Sequence, residues 1–363
     1  MKINEIFHFL EQIAPLSYQE NYDNSGLIVG DANSDFVKGM VCLDVSESVL
    51  DEAIANNCNL IISHHPLVFQ ALKKITHKTA VERILIKAIQ NNITIYAIHT
   101  NIDNVIQGVN SCFADKLQLE NKRILQTKKQ LLKKIVTFVP FEHADTVRSS
   151  LFEAGCGFIG NYDSCSYNIE GSGTFRANEQ ATPFTGEMGK LHIEKEIRIE
   201  TIFPSYKENN VIAALLRSHP YEEVAYDIYS LDNHHPQVGS GMIGSLPKAM
   251  NEKEFLAYLK NKMKLNVIQH SKFTERKIQK VALCGGSGNF LINDAIAQQA
   301  DVFITGEIRY HDFLTHENDI FLNSIGHYES EIEIKHYLVE KLVEKFTTFV
   351  GSKIETNPIG YFS

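Results

Sequence analysis

Residues 51–63, DEAIANNCNLIIS, return in altered form as residues 293–305, NDAIAQQADVFIT. Ala53, Ile54, Ala55 and Ile62 are matched identically by Ala295, Ile296, Ala297 and Ile304. Asn56-Asn57 faces Gln298-Gln299, Asn59 faces Asp301, and Ser63 faces Thr305. Each copy reads as the end of an amphipathic helix running into a buried strand. The next strand repeats as well. IYAIHTNID (95–103) closes on His99 and Asp103, and FLNSIGHYESE (321–331) closes on His327 and Glu331. Both are apolar runs followed by His-x-x-x-carboxylate. Two successive elements repeated in the same order indicate duplicated halves of one pseudo-symmetric α/β domain.

Working outward, residues 38–110 alternate strands and helices. Strands are expected at 38–43, 60–63 and 93–98. A helix capped by Ser46 carries Val49, Leu50, Ala53 and Ile54 on one face, and a second carries Ala80, Val81, Ile84, Leu85, Ala88 and Ile89. From 279 the alternation resumes, with strands at 280–284, 301–304 and 320–325 and helices over 290–299 and from Glu331. Such alternation specifies a parallel sheet. The zone between differs: strand 134–139, helix 142–154, polar Gly-rich strands within 160–176 and 187–203, helix 207–218 and strand 223–229. That β-α-β-β-α-β order is the split, ferredoxin-like α+β pattern. The expected division is therefore 1–126 as the first half of the α/β domain, 127–232 as an inserted unit, and 233–363 as linker and second half.

Composition narrows the functional classes. The 363 residues are 44% hydrophobic and 22% charged, with a net charge of −9. No apolar run is long enough to span a membrane, and the N-terminal residues Ile3, Ile6, Phe7, Leu10 and Ile13 follow helical spacing rather than forming a secretory signal. An acidic chain without a basic run argues against binding nucleic acid. The six cysteines form no C-x-x-C pair. Reduced, buried thiols in a cytoplasmic protein are expected.

Ligands in open parallel sheets bind beyond the carboxyl ends of the strands. There the sequence places His64-His65, His99 with Asp103, Thr305-Gly306-Glu307, and His327 with Glu331. Imidazoles and carboxylates suit zinc, iron or manganese. Adjacent histidines on extended backbone point apart, so they would more naturally serve two ions, or ligate from a bent loop, than chelate one ion together. Three histidines and two carboxylates are the inventory of a two-metal site, in which paired ions clamp a substrate and activate water.

Some stretches admit plainer readings. A polar turn would account for His64-His65 alone, but not for its place after a buried strand or for the repeated His/carboxylate pattern. A second His-His-Pro, residues 234–236, lies between SLDN and QVGSG and reads as linker. GGSGNF (285–290) sits where phosphate loops sit but lacks their spacing, so a tight strand–helix turn is expected. His99 either ligates or orients a ligand. Glu307 and His311 are read as outer residues or proton carriers.

Together these stretches resemble the Nif-three-like family, whose members are usually described as GTP cyclohydrolase I type 2 homologs. The resemblance runs over nearly the whole chain: YDNSGLIVGD (22–31), IISHHPLVF (61–69), AIHTNIDN (97–104), GGSGNF, DVFITGEIRYHD (301–312) and GHYESE (326–331). It implies a dinuclear metal centre held by His64, His65, Asp103, His327 and Glu331, and a toroidal hexamer. HPYEEVAYDIY (219–229) is similar to the last helix–strand of the PII/CutA-like domain inserted in longer members. One departure is Tyr22, where the family often has Trp. The expected function is a hydrolase using two divalent ions, zinc, iron or manganese, on GTP or another nucleotide-like or phosphorylated molecule. The alternative is a non-catalytic metal-binding or regulatory hexamer with a ligand-sensing insert.

Overall fold

A computed structural model describes residues 1–362, which divide into two compact units: residues 1–127 with 237–362, and residues 128–236. The fold is mixed α/β with three sheets among the described residues.

Local chemistry sets the helices of the first unit. Ser46 accepts a hydrogen bond from the Val49 amide and starts the helix Glu47–Ala55, which buries Val49, Leu50 and Ala53. Thr79 does the same for Ala80–Gln90 through the Glu82 amide. Asn251 and Glu254 exchange hydrogen bonds across the first turn of Glu252–Met263. The duplication shows even in the backbone. Asn57 and Gln299 hold corresponding places in the two copies, and both adopt left-handed φ, 57° and 58°.

The five-stranded sheet of this unit runs Gly26–Val29, Thr94–Ala97, Leu60–Ser63, Gly39–Cys42, Phe349–Gly351. The six-stranded sheet runs Gln269–His270, Phe321–Ser324, Val302–Thr305, Lys277–Cys284, His234–Asn251, Glu120–Lys129. The first contains four adjacent parallel strands and the second three, and in each, three end level: Cys42 pairs Ser63, which pairs Ala97, and Cys284 pairs Thr305, which pairs Ser324. In both, an antiparallel strand borders the third parallel one. The parallel strands Gly39–Cys42, Leu60–Ser63, Thr94–Ala97, Val302–Thr305 and Phe321–Ser324 are buried throughout, as two-sided cover by helices requires.

Residues 234–236 lie at the boundary between the two units, but as strand rather than turn. They begin the strand His234–Asn251. The glycines that read as turn residues are there because other groups come close. A Cβ on Gly239 would fall 2.0 Å from the Gln126 carbonyl oxygen, and one on Gly241 2.7 Å from the Leu291 side chain. The helix expected over 290–299 is a 3₁₀ turn, Asn289–Leu291, followed by Ile292–Ala297. The one expected from Glu331 begins with a short helix, His327–Glu331, before Glu333–Lys345.

In the second unit the four antiparallel strands lie in the order Tyr167–Arg176, Leu191–Pro204, Leu132–Pro140, Tyr226–Leu231. Ile135, Val139, Ile197 and Ile199 pack against Val147 and Leu151 of the helix Ala144–Glu153 and Val211 and Leu215 of Glu208–Ser218. The strand expected within 160–176 starts only at Tyr167, and the last strand starts at Tyr226 rather than 223.

Candidate metal centre

The chain after Leu60–Ser63 carries His64 and His65, and the chain after Thr94–Ala97 carries His99 and the short helix Thr100–Asp103. From the other sheet, the segment after Phe321–Ser324 supplies His327 and Glu331 on one helical turn. Gly326, with φ of 101°, makes the sharp entry into that helix. All these groups meet. His65 Nε2 lies 3.0 Å from Glu331 Oε2, His327 Nε2 lies 3.2 Å from the same oxygen, and His64 Nε2 lies 3.9 Å from it. Asp103 Oδ1 is 3.7 Å from His64 Nε2. Among the described residues, two sets have potential ligand atoms within 4.8 Å of one another: His64, His65 and His99; and His65, His327 and Glu331.

The Nδ1 atom of every imidazole is held from outside. For His64 the partner is the Ile98 carbonyl at 2.9 Å, and for His65 it is Asp44 at 2.7 Å. For His99 it is Asp23 at 2.7 Å, and for His327 it is Glu307 at 3.1 Å. With Nδ1 engaged, Nε2 is the nitrogen left for the centre. Second partners fix metal-binding histidines in this way.

The cluster does not satisfy itself. His64 Nε2 and Asp103 Oδ1 are buried without a hydrogen-bond partner, and His64 is wholly buried. Burial pushes His64 down to about 3, so its ring is neutral. Burial also works against a charge on His65, yet Asp44 and Glu331 push it up to about 10. The hydrogen bond that His327 donates to Glu331 raises His327 to about 9. Burial opposes the Glu331 charge, but His327 and His65 hold its carboxyl well below the usual range. Burial and the Glu331 charge hold Asp103 well above it. An orphaned nitrogen facing an orphaned carboxylate oxygen, beside an oxygen shared by imidazoles, fits divalent cations. These residues could hold a metal ion.

Asp23 and Asp44 are the partners that the sequence reading missed. Asp44 could have been found, since it follows Gly39–Cys42 at the same carboxyl edge. Asp23 follows no strand end; its only sequence signal is its place within YDNSGLIVGD (22–31). It reaches His99 from a loop distant in sequence, and its Oδ2 also accepts from the Thr100 amide at 3.0 Å and the Ser25 hydroxyl at 2.8 Å. We expect Asp44→Asn to weaken metal binding by about 10–100-fold, as loss of an outer partner does. Titration with a chromogenic chelator would measure it, and an unchanged affinity would remove Asp44 from the centre.

The GGSGNF loop forms a wall against Glu331, and three of its amides are turned inward. Its Gly285, Gly286 and Gly288 amides are spent on Asn110, Ser330 and Thr305, at 3.0, 2.9 and 2.8 Å. Gly286 has φ of 62°, and a Cβ there would sit 2.4 Å from Glu331 Oε1. Gly286→Ala is therefore expected to displace Glu331, cost about 1–3 kcal/mol in stability and reduce metal retention. Unchanged thermal unfolding and metal content would contradict this. Glu307, at 60% side-chain exposure, joins His327 to the Ser287 hydroxyl, which donates to it at 2.5 Å. His311 is exposed and meets the Tyr310 ring, with no hydrogen bond or ion pair to the cluster.

Against known proteins, a family model described as Duf34/NIF3 (NGG1p interacting factor 3) matches residues 1–358. The GTP cyclohydrolase 1 type 2 homolog of Bacillus subtilis (strain 168) is 39% identical over 367 residues, covering 98% of this chain and 98% of that protein. A solved Bacillus cereus protein related to NIF3 has a TM-score of 0.88 at 37% identity, over 100% of this chain and 99% of its own. Staphylococcus aureus protein SA1388 gives 0.79 at 28% identity, over 100% and 99%.

Proposed function

Because the chain belongs to the Duf34/NIF3 family, we propose that its imidazole–carboxylate cluster binds two divalent ions and serves a hydrolase. The substrate class is GTP or another nucleotide-like or phosphorylated molecule. One observation carries the reading: imidazoles from two sheets, each fixed at Nδ1 from outside, gather on a single buried carboxylate, Glu331.

His64, His65, Asp103, His327 and Glu331 are the residues that would hold the ions. When bound, such ions supply Lewis acidity and lower the pKa of a water. Zinc, iron and manganese all suit the donor set. Asp23, Asp44 and the Ile98 carbonyl keep the rings aimed. Glu307, accepting from His327 Nδ1 at the exposed rim, is placed to take and return a proton there. His311 lacks any comparable link, so we leave the proton-carrier role with Glu307.

A second reading is favoured by the separate 128–236 unit. Its strand order, with the first strand between the third and fourth, supports reading it as a ferredoxin-like, PII/CutA-like insert. On that reading the protein is a homo-hexamer that binds metal for regulation. The long edge strand Tyr167–Arg176, with Tyr167 exposed, offers a surface for self-association. No helix among the described residues is long and apolar enough to cross a membrane. Six free thiols, four of them buried, favour the cytoplasm.

The test is turnover of GTP and of simple phosphate esters by protein loaded in turn with zinc, iron(II) and manganese. Activity that falls at least about 100-fold in both Asp103→Asn and Glu331→Gln supports the hydrolase. Turnover indifferent to both substitutions, or absent with every ion, would leave the regulatory reading in its place.

A further inference from the structure

In the 128–236 unit, the helices cover one face of the sheet and a cavity of about 600 Å³ opens on the other. Alternation along the strands explains the split: Ile197 and Ile199 enter the core, while Glu196 and Arg198 line the cavity. Aromatic rings wall it. Tyr221 stands 6.2 Å from both Phe175 and Phe184, and Phe138 forms part of the floor.

The polar lining is mostly acidic. Tyr221 donates its hydroxyl to Glu196 Oε1 at 2.9 Å, and Glu170 and Glu223 also border the space. Arg198, the only cation lining it among the described residues, is engaged by Glu200 at 2.8 Å.

The glycines of this strand are the second observation. Gly171 and Gly173 sit within Tyr167–Arg176, where glycine weakens a strand. Gly173 has a local reason, since a Cβ there would fall 2.1 Å from Glu196 Oε2. Gly171 has none: nothing in the protein lies within 4 Å of the Cβ it lacks, and its φ lies outside the left-handed region. Its side chain would point to the same side as Ile169 and Phe175, into the cavity. Glycine there keeps open a space that the protein itself does not use.

We propose that this cavity binds a small organic amine with a ring-bearing apolar body. The ring packs among Phe175, Phe184 and Tyr221, and the cationic nitrogen bonds to Glu196. Aromatic faces and a carboxylate both favour a cation, and they reject the matching anion. The inference is independent of the metal centre, and either can fail without the other.

The chain contains no Trp, so indole emission reports only an added probe. Tryptamine titrated with the full-length protein should show a saturable rise in fluorescence anisotropy, half-complete below about 1 mM. Indole-3-propionate, with the same ring and the opposite charge, should bind at least about tenfold more weakly, and Glu196→Gln should weaken tryptamine by a similar factor. Gly171→Leu should abolish binding by filling the space while leaving thermal unfolding unchanged. The proposal is overturned by no saturable rise at millimolar tryptamine, by equal binding of the anion, or by undiminished binding to Gly171→Leu. A Gly171→Leu protein whose sedimentation shows a changed oligomer would also overturn it, assigning the face to contact between copies.

Discussion

Glu331→Gln should purify with almost no bound metal, a loss greater than the about 10–100-fold that an outer partner is worth. The reason is geometric. One Glu331 oxygen lies 3.0 Å from His65, 3.2 Å from His327 and 3.9 Å from His64, so every proposed ion site shares it. The carboxylate is only 4% exposed, so water cannot replace it. Glutamine keeps the shape but loses the charge, and its amide turns an N–H toward rings that need an acceptor. Without metal, the variant should also be less stable than the metal-free parent by about 3–5 kcal/mol, because two imidazolium groups lose their buried counter-charge. Metal analysis and denaturant unfolding of the two metal-free proteins measure both effects. A folded variant that retains the parent's metal would remove Glu331 from the centre.

The second large effect lies behind the site. Phe303 is wholly buried in Val302–Thr305, packed in a cluster with Leu291, Ile292, Ile320 and Leu322. Phe303→Ala should destabilise the protein by about 3–5 kcal/mol, through lost burial and the cavity left behind. Its effect on metal should be small by comparison. The strand's end is held independently: the Thr305 hydroxyl donates to the Gly286 carbonyl at 2.9 Å and accepts from the Gly288 amide at 2.8 Å. Urea unfolding and metal titration therefore separate the two substitutions. Glu331→Gln empties the site in a folded chain, whereas Phe303→Ala weakens the fold around a site that still loads. If Phe303→Ala cost under about 1 kcal/mol, the core assigned here would be wrong.

The cluster was legible in sequence to the extent that its residues follow buried parallel strands. Four-residue apolar strands mark their own carboxyl ends, and His64, His65, Asp103, His327 and Glu331 all follow such an end directly or by one helical turn. Asp44 obeys the same rule and was missed because no histidine accompanies it. Asp23 lies in YDNSGLIVGD (22–31), but its bond to His99 was not legible there, since it depends on a loop brought to His99 by tertiary packing. The strand His234–Asn251 was misread because glycines required by close approach look, in sequence, like glycines required by a turn. His311 stands apart from the other site residues read from the sequence. A histidine four residues beyond Glu307 looks well placed on paper, yet it lies exposed against Tyr310.

The most direct test of the proposed centre is metal content per chain, by plasma mass spectrometry, on untagged protein prepared without chelator. About two equivalents, lost in Glu331→Gln and restored to the parent after chelation and reloading, is the expected result. Clearly less than one equivalent in the parent, even after reconstitution with zinc, iron(II) and manganese, would contradict it.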